Sequence, residues 1–325
     1  MIKYATIGRG SIVDSYIKGA ELSGRFELSA VYSRNFETGK EFAEKWGCNK
    51  VHTTIEGLAN DPEIQAVYIA SPNVCHANQT EKLLKGGKHI ICEKPIATSA
   101  NKYKRLKDLA DSLGLIYMEA IIPVYTENRI NIKNAIAEIG NINIAKIDYC
   151  QLTSRYESLM KGEQVNIFDM SLHAGTLMDL GIYCVYAAVD FFGMPNKIKA
   201  SASFLKNGAD SCGSAIFEYG DFLCLLSYGK IGQSLSPSEI VGAKGSVLID
   251  KIGLYAGAYK AQGDSKVPLT QFIEKPCLMS KEAAAFADFI GGNNLETYGK
   301  NSELCYNVHT CMDLIKKSAE IKYPL

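Results

Sequence analysis

Residues 2–13 read IKYATIGRGSIV, and this stretch decides the fold class. A short β-rich run is followed by a glycine turn, which opens a helical pattern. Gly8 allows a tight turn, and Gly10 lets the backbone approach a pyrophosphate at the positive end of the next helix. The third position of the GxGxxG pattern holds Val13. Because the turn joins a predicted strand to a predicted helix, it predicts a dinucleotide-binding βαβ unit.

Strand and helix patterns alternate through the first 120 residues. Phe26–Ser33 and Gln65–Ala70 read as strands, and the helix His76–Lys85 ends at a glycine pair. Lys88–Cys92 is the next apolar strand. Buried parallel strands have such nearly continuous apolar runs, so the pattern predicts a parallel sheet covered by helices.

The pattern changes after about residue 121. Ile142–Leu152, Ile198–Leu205 and Phe222–Ser227 are among several predicted strands that short turns connect, which favours an antiparallel sheet. Leu172–Phe192 and two late segments read as helices. We therefore expect an α/β domain with a parallel, dinucleotide-binding sheet over residues 1–120, followed by an α+β domain over 121–325. The sheet of the second domain is expected to have one face covered by helices.

Composition excludes several classes of protein. The 325 residues are 47% hydrophobic and 22% charged, and 35 basic side chains balance 35 acidic ones. These values argue against a disordered chain and against a global field that attracts nucleic acid or membranes. The ten cysteines form no CxxC pair, and the five histidines form no metal-ligand pattern, so we expect reduced thiols and no metal site. With no signal peptide and no apolar run long enough to span a bilayer, a cytoplasmic location is expected.

The end of the second predicted strand distinguishes the two nicotinamide cofactors. An NAD site usually has an Asp or Glu there, which binds the ribose 2′-hydroxyl. Here the strand ends with Ser33 and Arg34, so no carboxylate repels a 2′-phosphate. Ser33 can donate a hydrogen bond, and Arg34 can hold the phosphate as a charged fork. The sequence predicts that NADP(H) is preferred over NAD(H); a solvated loop arginine is the alternative interpretation.

Polar residues also follow the predicted strand Lys88–Cys92. Glu93, Lys94 and Pro95 stand at its carboxyl end, the edge at which open α/β sheets bind ligands. The same tripeptide recurs at 274–276, in the half of the chain without βαβ context. We interpret that second copy as a surface loop.

A third candidate element is the segment 176–183, which reads TLMDLGIY. Asp179 and Tyr183 are four residues apart on a predicted helix, so they share one face. Gly181 costs a helix up to ~1 kcal/mol relative to alanine. This cost indicates close packing against a cofactor or another backbone. A core helix with one capped carboxylate is the alternative interpretation.

The order of these elements resembles that of the Gfo/Idh/MocA oxidoreductase family. The glycine turn, the string Ala70–Asn73 with His76, the EKP tripeptide and the DxGxxY helix all occur in sequence, and the resemblance covers essentially the whole chain. Met-Glu-Ala at 118–120, together with Tyr183, is most similar to the branch of dimeric dihydrodiol dehydrogenases and glucose–fructose oxidoreductase.

The resemblance implies a Rossmann domain and an open-faced antiparallel sheet that pairs subunits into a homodimer or homotetramer. It also implies hydride transfer between nicotinamide C4 and the carbinol or carbonyl carbon of a sugar, polyol or cyclic dihydrodiol. By matching position, Lys94 and Tyr183 would be the acid–base pair, and Asp179 would hold the substrate or position Tyr183. With the glycine turn and the end of strand two, the expected cofactor contacts are Gly8, Arg9, Gly10, Ser11, Ile12, Ser33, Arg34, Ala70, Ser71, Pro72, Asn73, His76, Glu93, Lys94 and Pro95.

The substrate stays open at this point. The close branch usually follows Met-Glu-Ala with a Trp and an Arg-Phe pair, whereas residues 121–125 read IIPVY. His173, Arg155 and Tyr156 are candidate substrate contacts, each with a structural alternative. A cofactor-bound sensor without catalysis and a cofactor-retaining glycosidase are the alternative functions. The joint presence of the three predicted catalytic residues argues against the sensor.

Overall fold

The computed structural model describes residues 1–271 and 273–324. The chain divides into two compact units: Met1–Tyr125 with Glu274–Ser302, and Thr126–Ile273 with Glu303–Leu325. The helices are α1 (Ser11–Leu22), α2 (Phe36–Lys45), α3 (Ile55–Ala59), α4 (Asn73–Lys85), α5 (Ala100–Ser112), α6 (Glu127–Glu138), α7 (Tyr156–Met160), α8 (Ile182–Phe192), α9 (Lys275–Ile290) and α10 (Leu295–Ser318). The strands are β1 (Ile2–Ile7), β2 (Phe26–Tyr32), β3 (Val51–His52), β4 (Ala66–Ile69), β5 (His89–Glu93), β6 (Tyr117–Ala120), β7 (Ile142–Cys150), β8 (Lys197–Phe204), β9 (Asp210–Glu218), β10 (Leu223–Gly229), β11 (Ser238–Gly242), β12 (Gly245–Lys251), β13 (Ala256–Gln262) and β14 (Ser265–Pro268).

The first unit contains a parallel sheet in the order β3-β2-β1-β4-β5-β6. All four residues of β4 are buried, as expected for a central strand that helices cover on both faces. Strand order reverses between β1 and β4, and the carboxyl ends on either side of such a reversal form the ligand crevice of doubly wound sheets. The predicted Rossmann-type fold of this unit is confirmed.

Helix α9 belongs to the first unit although it comes late in the chain. It packs against α1, where a Cβ on Gly19 would lie only 2.7 Å from the Cβ of Met279. This close approach requires glycine on α1. The sequence interpretation assigned all of 121–325 to the second domain, whereas the structure returns Glu274–Ser302 to the first unit. Glu274 and Lys275 of the second EKP copy are exposed as expected, but this copy forms the start of α9 rather than a loop.

The second unit contains a sheet in the order β14-β13-β12-β11-β7-β10-β9-β8. Its neighbouring strands are antiparallel, as expected, except that β7 and β10 run parallel. Along β7, Ala145 and Ile147 are buried while Lys146 between them is exposed. Strand β9 alternates in the same way, with Phe217 buried and Ile216 partly exposed. One face of the sheet therefore forms a core with the helices, and the other face is open.

The predicted helix Leu172–Phe192 is divided into shorter elements in the structure. Leu177–Gly181 forms a π-helical turn, and α8 follows directly. The segment Met170–Phe192 is long and apolar enough to cross a bilayer by composition, but 72% of its most apolar window is buried within the protein. We therefore read it as the core helix of the second unit.

Candidate functional site

The glycine turn has the geometry of a phosphate cradle. Gly8 has φ +112°, and a Cβ at this residue would lie 2.5 Å from the carbonyl oxygen of Ala70. Around Gly10, by contrast, a Cβ would meet nothing within 4 Å. Gly10 is also the N-cap of α1, so the first helical amides, those of Ser11 and Ile12, precede any intrahelical acceptor. Open space in front of helix amides is what a pyrophosphate requires.

The end of β2 and the start of α2 lie beside the glycine turn, at one edge of the first unit. Ser33 is 6% exposed, and its Oγ lies 3.3 Å from the Oγ1 of Thr38. Arg34 is exposed. From the glycine turn, Arg9 donates a hydrogen bond to the Thr38 carbonyl oxygen (3.4 Å), while Asn35 caps α2. The structure thus brings Arg9, which the sequence placed on the glycine turn, to the same edge as Ser33.

The EKP turn is anchored through its glutamate. Glu93 ends β5 and accepts a 2.6 Å hydrogen bond from the Tyr68 hydroxyl. Tyr68 stacks on Tyr16 with ring centroids 3.8 Å apart. Burial raises the pKa of Glu93, while the Tyr68 hydrogen bond and the charge of Lys94 lower it. Because the buried Tyr68 donates a hydrogen bond to Glu93, it fixes the backbone position of the adjacent Lys94.

His76 ties two turns of the first unit together. Its side chain is 1% exposed, and its two ring nitrogens lie 2.9 Å from the Pro95 carbonyl oxygen and 2.7 Å from that of Ser71. Both partners only accept hydrogen bonds, so both bonds form only when each nitrogen carries a proton. Burial lowers the pKa of His76, while the two carbonyls and Glu119 raise it and Lys94 lowers it. The sequence analysis placed His76 beside the cofactor; the structure adds that its ring nitrogens contact the turns that contain Ser71 and Pro95.

The predicted DxGxxY motif lies on the π-helical turn and the start of α8. Tyr183 is half-buried and packs edge-on against Tyr149 of β7, with ring centroids 5.6 Å apart. A Cβ on Gly181 would lie 3.1 Å from the ring of Tyr228. The glycine therefore serves packing against a side chain of β10, not against a cofactor or a backbone as the sequence suggested. π-helical turns inside α-helices are frequent at functional sites.

Asp179 forms an ion pair that the sequence analysis missed. Its Oδ2 contacts the ammonium of Lys230, which follows β10. The side chain of Lys230 is 10% exposed and that of Asp179 is 34% exposed. The two residues are 51 positions apart, so no local pattern in the sequence links them.

A buried carboxylate holds the start of the same helix. Oδ2 of Asp210 accepts a 2.6 Å hydrogen bond from the Leu177 amide, and the Thr176 hydroxyl donates to the Asp210 carbonyl oxygen at 2.9 Å. Burial raises the pKa of Asp210 to about 6, although the Leu177 amide acts in the opposite direction. Just before this point, His173 stacks on Tyr323 of the chain end with ring centroids 5.0 Å apart. This contact supports the structural alternative for His173.

The other substrate candidates lie on the surface of the second unit. Arg155 is exposed and immediately precedes α7, and Tyr156 lines a cavity of about 940 Å³. Residues of α7 and the loop after it, including Leu159 and Met160, form much of that cavity wall. The structure brings the predicted cofactor contacts together in the first unit, which also contains Lys94. Asp179 and Tyr183 belong to the second unit.

Two family models match successive parts of the chain. Residues 2–121 match the family described as "Oxidoreductase family, NAD-binding Rossmann fold", and residues 131–248 match the GFO/IDH/MocA C-terminal domain. The chain is 33% identical over 324 residues to scyllo-inositol 2-dehydrogenase (NADP(+)) IolU of Bacillus subtilis, covering 100% of this chain and 99% of that protein. It is 26% identical over 262 residues to mouse trans-1,2-dihydrobenzene-1,2-diol dehydrogenase, covering 77% and 75%.

Solved structures show the same fold. The 3-ketoreductase KijD10 of Actinomadura kijaniata, in complex with NADP and TDP-benzene, superposes with a TM-score of 0.85 at 21% identity, covering 98% of both chains. Levoglucosan dehydrogenase superposes with a TM-score of 0.84 at 19% identity, covering 98% of this chain and 97% of that one. From the two family matches and the full-length relative, we conclude that the chain belongs to the Gfo/Idh/MocA family of oxidoreductases.

Proposed function

We propose that this oxidoreductase transfers a hydride between NADP(H) and the carbinol or carbonyl carbon of a sugar, polyol or cyclic dihydrodiol. The observation that carries the proposal is the full-length similarity to an NADP⁺-dependent inositol dehydrogenase. The more distant dihydrodiol dehydrogenases act on a ring with vicinal hydroxyls, as their name states. Cyclic compounds with neighbouring hydroxyl groups are therefore the first substrates to test.

The residues of the first unit fit a dinucleotide. The open space at Gly10, in front of the first amides of α1, has room for a pyrophosphate. At the edge formed by the end of β2 and the start of α2, Arg34 and Arg9 supply two guanidinium groups, and Ser33 contributes a hydroxyl. Guanidinium groups bind phosphate oxygens in bidentate fashion, so this edge favours a 2′-phosphate over a free hydroxyl. We assign the NADP(H) preference to these residues.

For the chemistry, we propose Lys94 and Tyr183 as the acid–base pair. The nicotinamide accepts or donates the hydride when bound. During oxidation of an alcohol, the Tyr183 oxygen takes the hydroxyl proton, and during reduction it returns one. Asp179 positions Tyr183 or the substrate from one helical turn earlier.

We also propose that the enzyme works as a cytoplasmic homodimer. The open face of the second unit's sheet carries partly exposed apolar residues, such as Ile216 and Leu223, beside the charged Lys146. Such a face can bury apolar area against a second copy, which supports association through the sheet. All ten cysteines are free thiols, as is usual in a reducing compartment.

The experiment that tests the function follows reduced-nicotinamide absorbance. The purified protein is assayed with NADP⁺ and NAD⁺ separately, against scyllo-inositol, aldoses, linear polyols and a trans-dihydrodiol. We expect turnover with NADP⁺ and a lower KM for NADP⁺ than for NAD⁺. Failure to turn over any of these compounds in protein that binds NADPH would count against the proposal and favour the sensor or the glycosidase.

A pair of variants tests the cofactor assignment. Arg34→Ala is expected to raise the KM for NADP⁺ by about 10–100-fold, the loss of one or two charge-assisted hydrogen bonds, and to leave the KM for NAD⁺ nearly unchanged. The control is Arg105→Ala, because Arg105 is a surface arginine of the same unit that pairs with Glu81 at 2.8 Å. Tighter binding of NADH than NADPH by the wild type would show that the interpretation of Ser33 and Arg34 is wrong.

A further inference from the structure

The ion pair between Lys230 and Asp179 places a cation beside the motif that carries Tyr183. Asp179 and Tyr183 are one helical turn apart, and each is partly exposed. The ammonium of Lys230 contacts the Asp179 carboxylate, while its side chain is 10% exposed. The second unit thus presents an ammonium and a carboxylate in contact, one turn from a phenol.

The backbone of Lys230 is held on both sides. Its amide donates to the Ser211 carbonyl oxygen at 3.1 Å, and its carbonyl oxygen accepts from the Thr153 amide at 2.9 Å. These bonds fix where the side chain starts. Burial of the aliphatic stem then limits where the ammonium can go. The cation is therefore preorganised at Asp179, and little ordering entropy is lost when a ligand binds.

We propose that Lys230, together with Asp179, binds a hydroxyl group on the carbon next to the reacting carbinol. This inference rests on the proposed function and narrows its substrate class to compounds with vicinal hydroxyls. An ammonium carries three N–H donors, and Asp179 engages one of them. A hydroxyl group both donates and accepts, so it can donate a hydrogen bond to the carboxylate and accept one from the ammonium. An alcohol with no neighbouring hydroxyl cannot use the pair.

This role differs from simple charge neutralisation. If Lys230 only compensated the charge of Asp179, its removal would affect all ligands of the second unit alike. If it binds the neighbouring hydroxyl, its removal costs affinity only for ligands that have that group. Hydrogen bonds to charged groups contribute about 1.5–3 kcal/mol, which corresponds to about 10–150-fold in affinity.

The test measures this selectivity by titration calorimetry on the enzyme–NADPH complex. The ligands are trans-cyclohexane-1,2-diol and cyclohexanol, which differ by the neighbouring hydroxyl. The variants are Lys230→Met, which removes the charge, and Lys230→Arg, which retains it. The matched control is Lys199→Met, because Lys199 forms an exposed pair with Glu218 at 2.8 Å in the same sheet. NADPH affinity is measured for each variant as a check that the protein is folded.

We expect the wild type and Lys199→Met to bind the diol at least 10-fold more tightly than cyclohexanol. Lys230→Met loses most of this preference, Lys230→Arg recovers part of it, and NADPH affinity is unchanged throughout. A preference that survives in Lys230→Met, or a wild type that does not distinguish the two ligands, overturns the inference. Because calorimetry needs no turnover, a wild type that binds the diol selectively but oxidises no substrate would count against the proposed function alone.

Discussion

Replacing Asp210 by asparagine tests how the second unit anchors the helix of the DxGxxY motif. Asp210 is fully buried, and its Oδ2 accepts a hydrogen bond from the Leu177 amide. Within residues 1–271 and 273–324, its Oδ1 makes no hydrogen bond. Burial raises the pKa from 3.8 to about 6, and the Leu177 amide only partly offsets this rise. The carboxyl group therefore binds its proton more tightly in the folded protein than in the unfolded chain.

The sign and size of the effect follow from this pKa difference. Stability that depends on the protonated group is fully present below about pH 4 and is lost as the pH rises through about 6. The two pKa values differ by about 2, so the full loss is about 3 kcal/mol. About half of it, ~1.4 kcal/mol, develops between pH 5 and pH 7.5. Asp61 does not contribute to the pH dependence of stability between pH 5 and pH 7.5, because its pKa is lowered to about 2 and the group stays ionised throughout this range.

Asparagine keeps an oxygen that can accept from the Leu177 amide but carries no charge. We expect Asp210→Asn to gain stability relative to the wild type as the pH rises, with the difference in free energy of unfolding growing by ~1.4 kcal/mol from pH 5 to pH 7.5. Urea titrations at the two pH values measure this difference. Asp264→Asn is the control, because Asp264 is exposed in the same unit. Equal pH slopes for the wild type and Asp210→Asn would refute the reasoning.

Three further predictions concern the proposed chemistry, the glycine turn and a buried ion pair. Tyr183→Phe and Lys94→Met are expected to retain NADPH binding but to lose 10²–10⁴-fold in turnover, and wild-type rates in either variant would remove that residue from the mechanism. Gly8→Ala is expected to lower NADPH affinity and the free energy of unfolding by about 1–3 kcal/mol, because Gly8 has φ +112° and the added Cβ would clash with the Ala70 carbonyl oxygen. A fluorescence titration that gives the wild-type Kd for NADPH would contradict this. Arg129→Met should cost about 3 kcal/mol in the free energy of unfolding, because the Asp190 side chain is 2% exposed and would lose its bidentate partner. A Tm equal to that of the wild type would show that Lys133 alone compensates Asp190.

The sequence predicted the first unit well because its signals are local. Apolar strands such as β4 alternate with helices, and each glycine turn stands directly between a strand and a helix. Gly87 has φ +76°, consistent with the predicted helix end. The return of α9 to the first unit was not predictable in this way. An amphipathic helix shows which face it buries but not which domain covers that face.

The parts of the site that depend on distant pairing were also missed. Lys230 contacts Asp179 because β10 packs against the π-helical turn. The residues at the end of a strand do not indicate which distant side chain they will contact. His76 was identified as a motif residue, but its hydrogen bonds could not be predicted, since its partners are backbone carbonyls that any sequence has. For Gly181, the cost of glycine correctly indicated close packing, but the packing partner, Tyr228, lies on a strand far along the chain.

The two-segment construction of the first unit has a consequence for synthesis on the ribosome. Residues 1–125 emerge first, yet the surface that α9 covers, including Gly19 on α1 and Phe26 on β2, has no cover until residue 290 has been made. The whole of Thr126–Ile273 is translated in the meantime. The nascent first unit therefore carries an exposed apolar face for about half the length of the chain, a state prone to aggregation. The first unit is therefore completed only after the segment that follows Ile273 has been made.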